Sequence, residues 1–236
     1  MLDLKKQNLL VIAPHPDDEV VGCGGLIKRV KDAGGKVYVL FLTVGDTKDF
    51  SKKGVSFGKE REREIETVAK FLKFDDYHLA FNGNSYHLKL DTLGQKTIMD
   101  AIERESRIAL EKIKPSIVAF PSTSSYNQDH RIAAEAAHAA LRPADGRDKH
   151  FVKTVLAYEE PSDSWALKER AEVNFFAELT KKDLDAKVKA MNLYMSQVRE
   201  GFNSRSTPAL KNLAYFRGFQ SGVEIAEGFF NYRLVF

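Results

Sequence analysis

The sequence predicts an α/β fold, a Rossmann-like layer sandwich with a mainly parallel sheet and a C-terminal α+β extension. Three observations carry that expectation. Strand-length apolar runs recur at Leu9 to Ala13, Val37 to Val44 and Ser116 to Pro121, as expected of parallel strands covered on both faces. Each is followed by a longer segment with helical spacing of apolar residues, the alternation of crossover units. The last stretch instead alternates Phe230, Tyr232, Leu234 and Phe236 with polar Asn231 and Arg233, the period of a half-buried strand. With 236 residues, 43% of them apolar, the chain has enough material for one large core and is short for two, so residues 1–236 read as a single domain.

The first strand, Leu9 to Ala13, runs into Pro14-His15-Pro16-Asp17-Asp18-Glu19, and Val20 to Ala33 follows as a helix closed by Gly34-Gly35. His15 to Asp18 therefore occupy a strand-to-helix turn at the carboxyl edge of the sheet, where open α/β folds bind ligands. Two readings compete there. Asp17, Asp18 and Glu19 are first-turn carboxylates favoured by the positive end of a helix. Alternatively, His15 and Asp18 converge on one cation, and an imidazole nitrogen with a carboxylate oxygen suits a zinc-like divalent metal. Asp17 would then point elsewhere.

Val37 to Val44 reads as a central strand ending at Gly45-Asp46. The polar segment Thr47 to Gly58 reads as a long edge loop able to close over a substrate. Lys59 to Lys73 is helical, with Ile65, Val68, Ala69 and Leu72 on one face, and Tyr77 to Phe81 is a weak strand before Asn82-Gly83-Asn84. Thr92 to Ile113 has the period of one long amphipathic helix stopped by Lys114-Pro115. Ser116 to Pro121 is the next buried strand, Ser122 to Gln128 the next edge loop, and His130 opens a helix whose Ile132, Ala133, Ala136, Ala137 and Ala140 allow close packing. Val152 to Tyr158 is a further strand, ending in Glu159-Glu160-Pro161 at the same edge. Leu184, Val188, Met191, Met195 and Val198 mark a helix expected to end at Gly201. Thr207-Pro208 begins the last helix, with Gly218 as its expected stop.

The first turn, Ala13-Pro14-His15-Pro16-Asp17-Asp18-Glu19, resembles the opening Ala-His-Pro-Asp-Asp-Glu motif of the LmbE/PIG-L family of zinc-dependent N-acetyl-sugar deacetylases. Asn127-Gln128-Asp129-His130-Arg131 resembles that family's second metal motif, which ends in Asp-His-Arg. The likeness continues through Arg142-Pro143, Tyr158-Glu159, Ser204-Arg205-Ser206 and Arg217-Gly218, and so covers nearly the whole chain. Three departures stand out. Asn127 occupies a position where many relatives have His, Asn203 and Ser204 replace the His and Pro of a Pro-His-Pro-Arg-Ser motif, and Asn82-Gly83-Asn84 replaces an Asp-Gly.

The resemblance implies hydrolysis of an N-acetyl group from an amino sugar, free or within a glycan precursor or nucleotide sugar. It implies His15, Asp18 and His130 as ligands of Zn2+, with another divalent transition metal as the alternative. Asp17 would be the general base, Asn127 a donor to the oxyanion, and Asp129 the residue that orients a ligand or Asn127. Arg63 and Arg205 would bind the substrate. His138 does not share the metal: eight residues beyond His130, it lies about 12 Å further along the helix. His78, His87 and His150 have no motif around them.

The 36 basic and 33 acidic residues leave a net charge of +3, too little to argue for nucleic acid or a membrane surface. The single cysteine, Cys23, cannot form an internal disulfide and reads as a small buried residue. No apolar run reaches membrane-spanning length, so a cytoplasmic protein is expected, and a homo-oligomer is left open. Three rivals accompany the deacetylase reading. A phosphate-binding role for Gly22-Cys23-Gly24-Gly25 is disfavoured because the spacing is not Gly-x-Gly-x-x-Gly. The others are a metal-bearing sugar-binding protein of the same fold without catalysis, and a deacylase acting on a non-sugar amide.

Overall fold

The structure is a computed structural model that describes residues 3–49, 53–166 and 172–235. The strands of the main sheet are β1 (Asn8–Ala13), β2 (Lys36–Val44), β5 (Asp76–Asn82), β6 (Ile117–Pro121), β7 (Thr154–Tyr158), β8 (Phe175–Glu178) and β9 (Ala226–Leu234), and β3 (Thr47–Lys48) pairs with β4 (Val55–Ser56) in a small hairpin. The spatial order is β5-β2-β1-β6-β7-β9-β8. β5 to β7 in that order run parallel, and β9 then turns antiparallel to both β7 and β8. The expected α/β sandwich with a mainly parallel sheet is thus the observed architecture, and the C-terminal extension is the antiparallel edge.

The chain builds outward from β1 in one direction through β2 and β5, then returns to β6 on the other side of β1. The carboxyl ends of β1 and β6 therefore flank the crevice at which strand order reverses, where loops diverge and leave room for a ligand. The loops after these two strands carry His15 and His130.

Alternate residues of β1 serve two cores, as a pleated strand covered on both faces requires. Leu9, Val11 and Ala13 pack with α1 (Asp18–Asp32), α2 (Gly58–Leu72) and α6 (Lys181–Leu193), while Leu10 and Ile12 pack with α5 (Gln128–Ala140) and the segment before β6. Helix α1 approaches unusually closely. A Cβ on Gly22 would lie 2.2 Å from the ring of Tyr158, whose hydroxyl donates to the Ile12 carbonyl at 3.1 Å. Cys23, one residue on, is buried and free.

Four expectations need correction. The single helix over Thr92 to Ile113 is broken: α3 (Gln95–Asp100) widens into a π turn at Ala101–Glu105, and only α4 (Leu110–Ile113) follows. Ser106 turns to an extended conformation, its hydroxyl accepts from Ile108 N, and a local side-chain bond of this kind offers the backbone an alternative to the helix. Glu103, in the wide turn, is buried against Arg142 and Lys149. Helix α6 stops at Leu193 rather than near Gly201, which leaves Met195 77% exposed. Helix α7 (Thr207–Ser221) runs through Gly218 and ends at Gly222, whose φ of 77° suits glycine. Gly218 has another role, since a Cβ there would lie 2.3 Å from the Glu224 carbonyl oxygen. The Thr47 to Gly58 loop carries the β3–β4 hairpin. Phe236, placed on the last strand by its alternation, lies outside the described residues.

Candidate active site

Both turns at the reversal point are shaped by short side-chain to backbone bonds. After β1, His15 N donates to Asp18 Oδ2 at 2.9 Å, which folds the turn back on itself. Asp17 sits between them with φ 106°, a left-handed conformation that a residue with a Cβ seldom adopts. Although Asp17 is the N-cap of α1, its side chain makes no capping bond and lines a cavity of about 180 Å³. After β6, Asn127 caps α5 by accepting from Asp129 N at 2.9 Å. That cap sets the direction of the first helical turn and brings Asp129 and His130 to the crevice.

The two turns meet. His15, Asp18 and His130 are all buried, and one ligand atom from each lies within 4.8 Å of the others. His130 Nε2 is 3.2 Å from Asp18 Oδ2, and His15 Nδ1 is 3.4 Å from the same oxygen. Behind them, Asp129 Oδ2 is 3.1 Å from His15 Nε2, while its Oδ1 accepts from Leu90 N at 3.1 Å. Glu160 Oε1 lies 3.6 Å from His130 Nδ1. The donor set fits a divalent transition metal, since two imidazoles and one carboxylate are the three-ligand pattern that leaves a coordination position open. The carboxylate bonded to the far nitrogen of His15 is the usual support of such a ligand, while His130 Nδ1 and Glu160 Oε1 are buried and make no hydrogen bond to one another.

Charge at the site follows burial and neighbours. Burial opposes a charged His15, but hydrogen bonds to Asp129 and Asp18 outweigh it and raise the imidazole to about 9. Burial would also raise Asp18, yet His130 and His15 hold it well below the ordinary carboxylate value. Asp17 is pushed up to about 6 by burial and by the charge of Asp18, with Arg205 and Arg61 opposing. Burial and the neighbouring Asp18 push the Glu160 carboxyl well above its ordinary value.

The opposite wall holds two arginines. Arg61 Nη2 and Arg205 Nη1 each donate to Gln197 Oε1 at 3.0 Å, and Arg205 Nη1 is 3.7 Å from Asp17 Oδ2. Arg61 Nη1 also donates to His87 Nε2 at 2.9 Å. Because that nitrogen accepts, the proton of a neutral imidazole sits on Nδ1 and is donated to Thr43 Oγ1 at 3.2 Å. Burial and the nearby positive charges of His15 and Arg61 lower His87 to about 3, so the ring is neutral.

The crevice thus gathers His15, Asp17, Asp18, Asn127, His130 and Arg205 around one cavity, with Asp129 behind His15. Arg63 is not among them. It is exposed beside Lys59 and Phe57, while Arg61, two residues and about 200° around the helix, lines the cavity. A signal for Arg61 was present in the sequence. It stands four and seven residues before Ile65 and Val68, so it lies on the stripe that α2 buries. His87 and Gln197 come from irregular segments and carried no such signal.

The family described as PIG-L, GlcNAc-PI de-N-acetylase, matches residues 10–141, more than half of the chain and both turns of the crevice. The chain belongs to the PIG-L family. A diacetylchitobiose deacetylase of Thermococcus kodakarensis is 28% identical over 242 residues, covering 96% of this chain and 82% of that protein. Among solved structures, a conserved protein from Thermus thermophilus superposes with a TM-score of 0.72 at 26% identity, covering 98% of this chain and 96% of that one. A 4-carboxy-2-hydroxymuconate hydratase from Pseudomonas putida shares the fold with a TM-score of 0.71 at 18% identity, covering 98% of both chains. Among the described residues, no helix is long and apolar enough to cross a membrane.

Proposed function

We propose that this PIG-L member removes the N-acetyl group of an amino sugar, free or within a glycoconjugate or nucleotide sugar, by metal-assisted hydrolysis. The observation that carries the reading is the placement of Asp17 in one cavity with the His15, Asp18 and His130 cluster. Those three residues would hold the metal, zinc by donor chemistry. When bound, the metal supplies a Lewis acid for the acetyl carbonyl and acidifies water. Asp17, raised to about 6, is matched to take the water's proton near neutral pH. It then returns that proton to the departing sugar nitrogen, so one carboxyl serves as base and acid in turn. The Asn127 amide cannot titrate and acts as a donor to the oxyanion. Asp129 holds the His15 ring by its Nε2, so Nδ1, which faces Asp18, would be the ligating nitrogen once it has given up its proton. Arg61 and Arg205 present donors to oxygens of the substrate.

Sharing the fold with a hydratase means that the fold does not select the reaction, so the test follows the acetyl group itself. Acetate release is measured for N-acetylglucosamine, N,N'-diacetylchitobiose and UDP-N-acetylglucosamine, using zinc-loaded and chelator-treated protein. Acetate should appear only in the loaded form, and Asp17→Asn should keep the metal but lose roughly 10²- to 10⁴-fold in turnover. Near-parental turnover in that variant removes Asp17 from the mechanism. A zinc-loaded parent that releases no acetate from any of the three overturns the deacetylase reading.

A further inference from the structure

We infer that Glu19 and Tyr194 are positioning residues for Asp17, holding its backbone in the left-handed conformation that turns its carboxylate into the cavity. The inference rests on the reading of Asp17 as the base.

The starting observation is a backbone cost. Asp17 has φ 106° and ψ −28°, and a residue with a Cβ placed outside the favoured regions costs on the order of 1–3 kcal/mol unless its surroundings hold it there. The surroundings here are specific. The Asp17 carbonyl accepts from Val20 N and Val21 N, both at 2.9 Å, which ties it to the start of α1. Its N–H points the other way and donates to Glu19 Oε2 at 3.2 Å. Glu19 is fully buried, so without it that N–H would face the interior unpaired.

Glu19 is in turn fixed from across the molecule. Tyr194, also fully buried, donates its hydroxyl to Glu19 Oε1 at 2.6 Å. Tyr194 is the C-cap residue just past the end of α6, and its carbonyl accepts from Gln197 N at 2.9 Å. The Gln197 side chain accepts from Arg205, and Arg205 faces Asp17 Oδ2 at 3.7 Å. The contacts thus close a ring that begins at the Asp17 amide and ends at its carboxylate.

The test uses Glu19→Ala, Glu19→Gln and Tyr194→Phe in the full chain, with zinc content, kinetics on the best of the three sugars above and a crystal structure of each folded variant. Glu19→Ala should keep one metal per chain, release Asp17 from positive φ, and lower kcat by about 10²-fold, as expected of a displaced catalytic group, with KM unchanged. Tyr194→Phe should give a smaller loss of the same kind, and it keeps the question decidable if Glu19→Ala does not fold. Glu19→Gln should recover most of the loss, because its amide offers an oxygen to Asp17 N–H and an N–H to the Tyr194 oxygen. The inference is overturned if Asp17 keeps φ near 106° without Glu19 or the Tyr194 hydroxyl. It is also overturned if the metal is lost together with activity, which would make Glu19 a support of Asp18. Full turnover by Asp17→Asn would refute the base reading, and the backbone conformation would still decide this one.

Discussion

Replacing Asp129 with Asn removes one charge and almost no volume, yet it should disable the proposed metal centre. Asp129 is fully buried and serves two donors, His15 Nε2 through Oδ2 and Leu90 N through Oδ1. An Asn can satisfy only one of them. If its oxygen keeps Leu90 N, its NH₂ faces His15 Nε2, which must then accept. The imidazole proton moves to Nδ1, the atom 3.4 Å from Asp18 Oδ2 that is needed for the metal. If the amide flips, His15 is kept, but two N–H groups confront each other at Leu90. Either arrangement leaves a buried polar group mismatched at a cost of about 1–3 kcal/mol, or roughly 10- to 100-fold in zinc affinity. The assay is competition for zinc against a chromophoric chelator at neutral pH. Asp129→Ala removes both acceptors without imposing a tautomer, so it should bind zinc no worse than Asp129→Asn. Parental zinc affinity in the Asn variant would refute the assignment of Asp129 as the group that fixes the His15 proton.

Arg61→Ala should raise KM by roughly 10- to 100-fold, the loss of hydrogen bonds from a charged donor, while keeping the metal; Arg63→Ala should match the parent in steady-state kinetics. Asn127→Asp keeps the cap acceptor for Asp129 N but not the amide donor, so a thermal melt near the parental one with turnover reduced about 10- to 10³-fold would separate oxyanion support from helix capping. Burial pushes the Glu103 carboxyl up, and Lys149 and Arg142 outweigh it, holding the group below its ordinary value of 4.5. A depressed carboxyl contributes stability above its unfolded pKa, and that contribution is lost as pH falls through the folded one. Denaturant melts should therefore show Glu103→Gln less stable than the parent at neutral pH, with the gap closing below about pH 4.

The strands were legible because burial on both faces forces uninterrupted apolar runs, which β1, β2, β6 and β7 display. The broken helix was not. Ile98, Ile102 and Leu110 all still enter the core, so the apolar period survives an interruption of the backbone. The break sits at Ser106, whose hydroxyl accepts from Ile108 N, and one residue on Arg107 Nε donates to the Asp76 carboxylate at the start of β5 at 2.9 Å; neither contact disturbs the apolar period. The residues proposed to hold the metal lie in two short turns, so their spacing was visible in the chain. The opposite wall assembles Arg61, His87, Gln197 and Arg205 from separate segments, and no local spacing relates them. Arg63 is singled out by the family resemblance, whereas helix phase puts Arg61 on the stripe that α2 buries.

Cys23 makes the chain its own clock for opening. The thiol has no exposed surface, burial pushes its pKa well above the ordinary value, and it is the only cysteine in the sequence. A thiol reagent can reach it only when α1 lifts from the sheet, so the labelling rate counts those excursions. Because the same helix begins at Asp18, any ion gripping that carboxylate must be released before the helix departs. Labelling slows in proportion to occupancy, and the affinity of the centre becomes readable from the kinetics of a residue that never touches it.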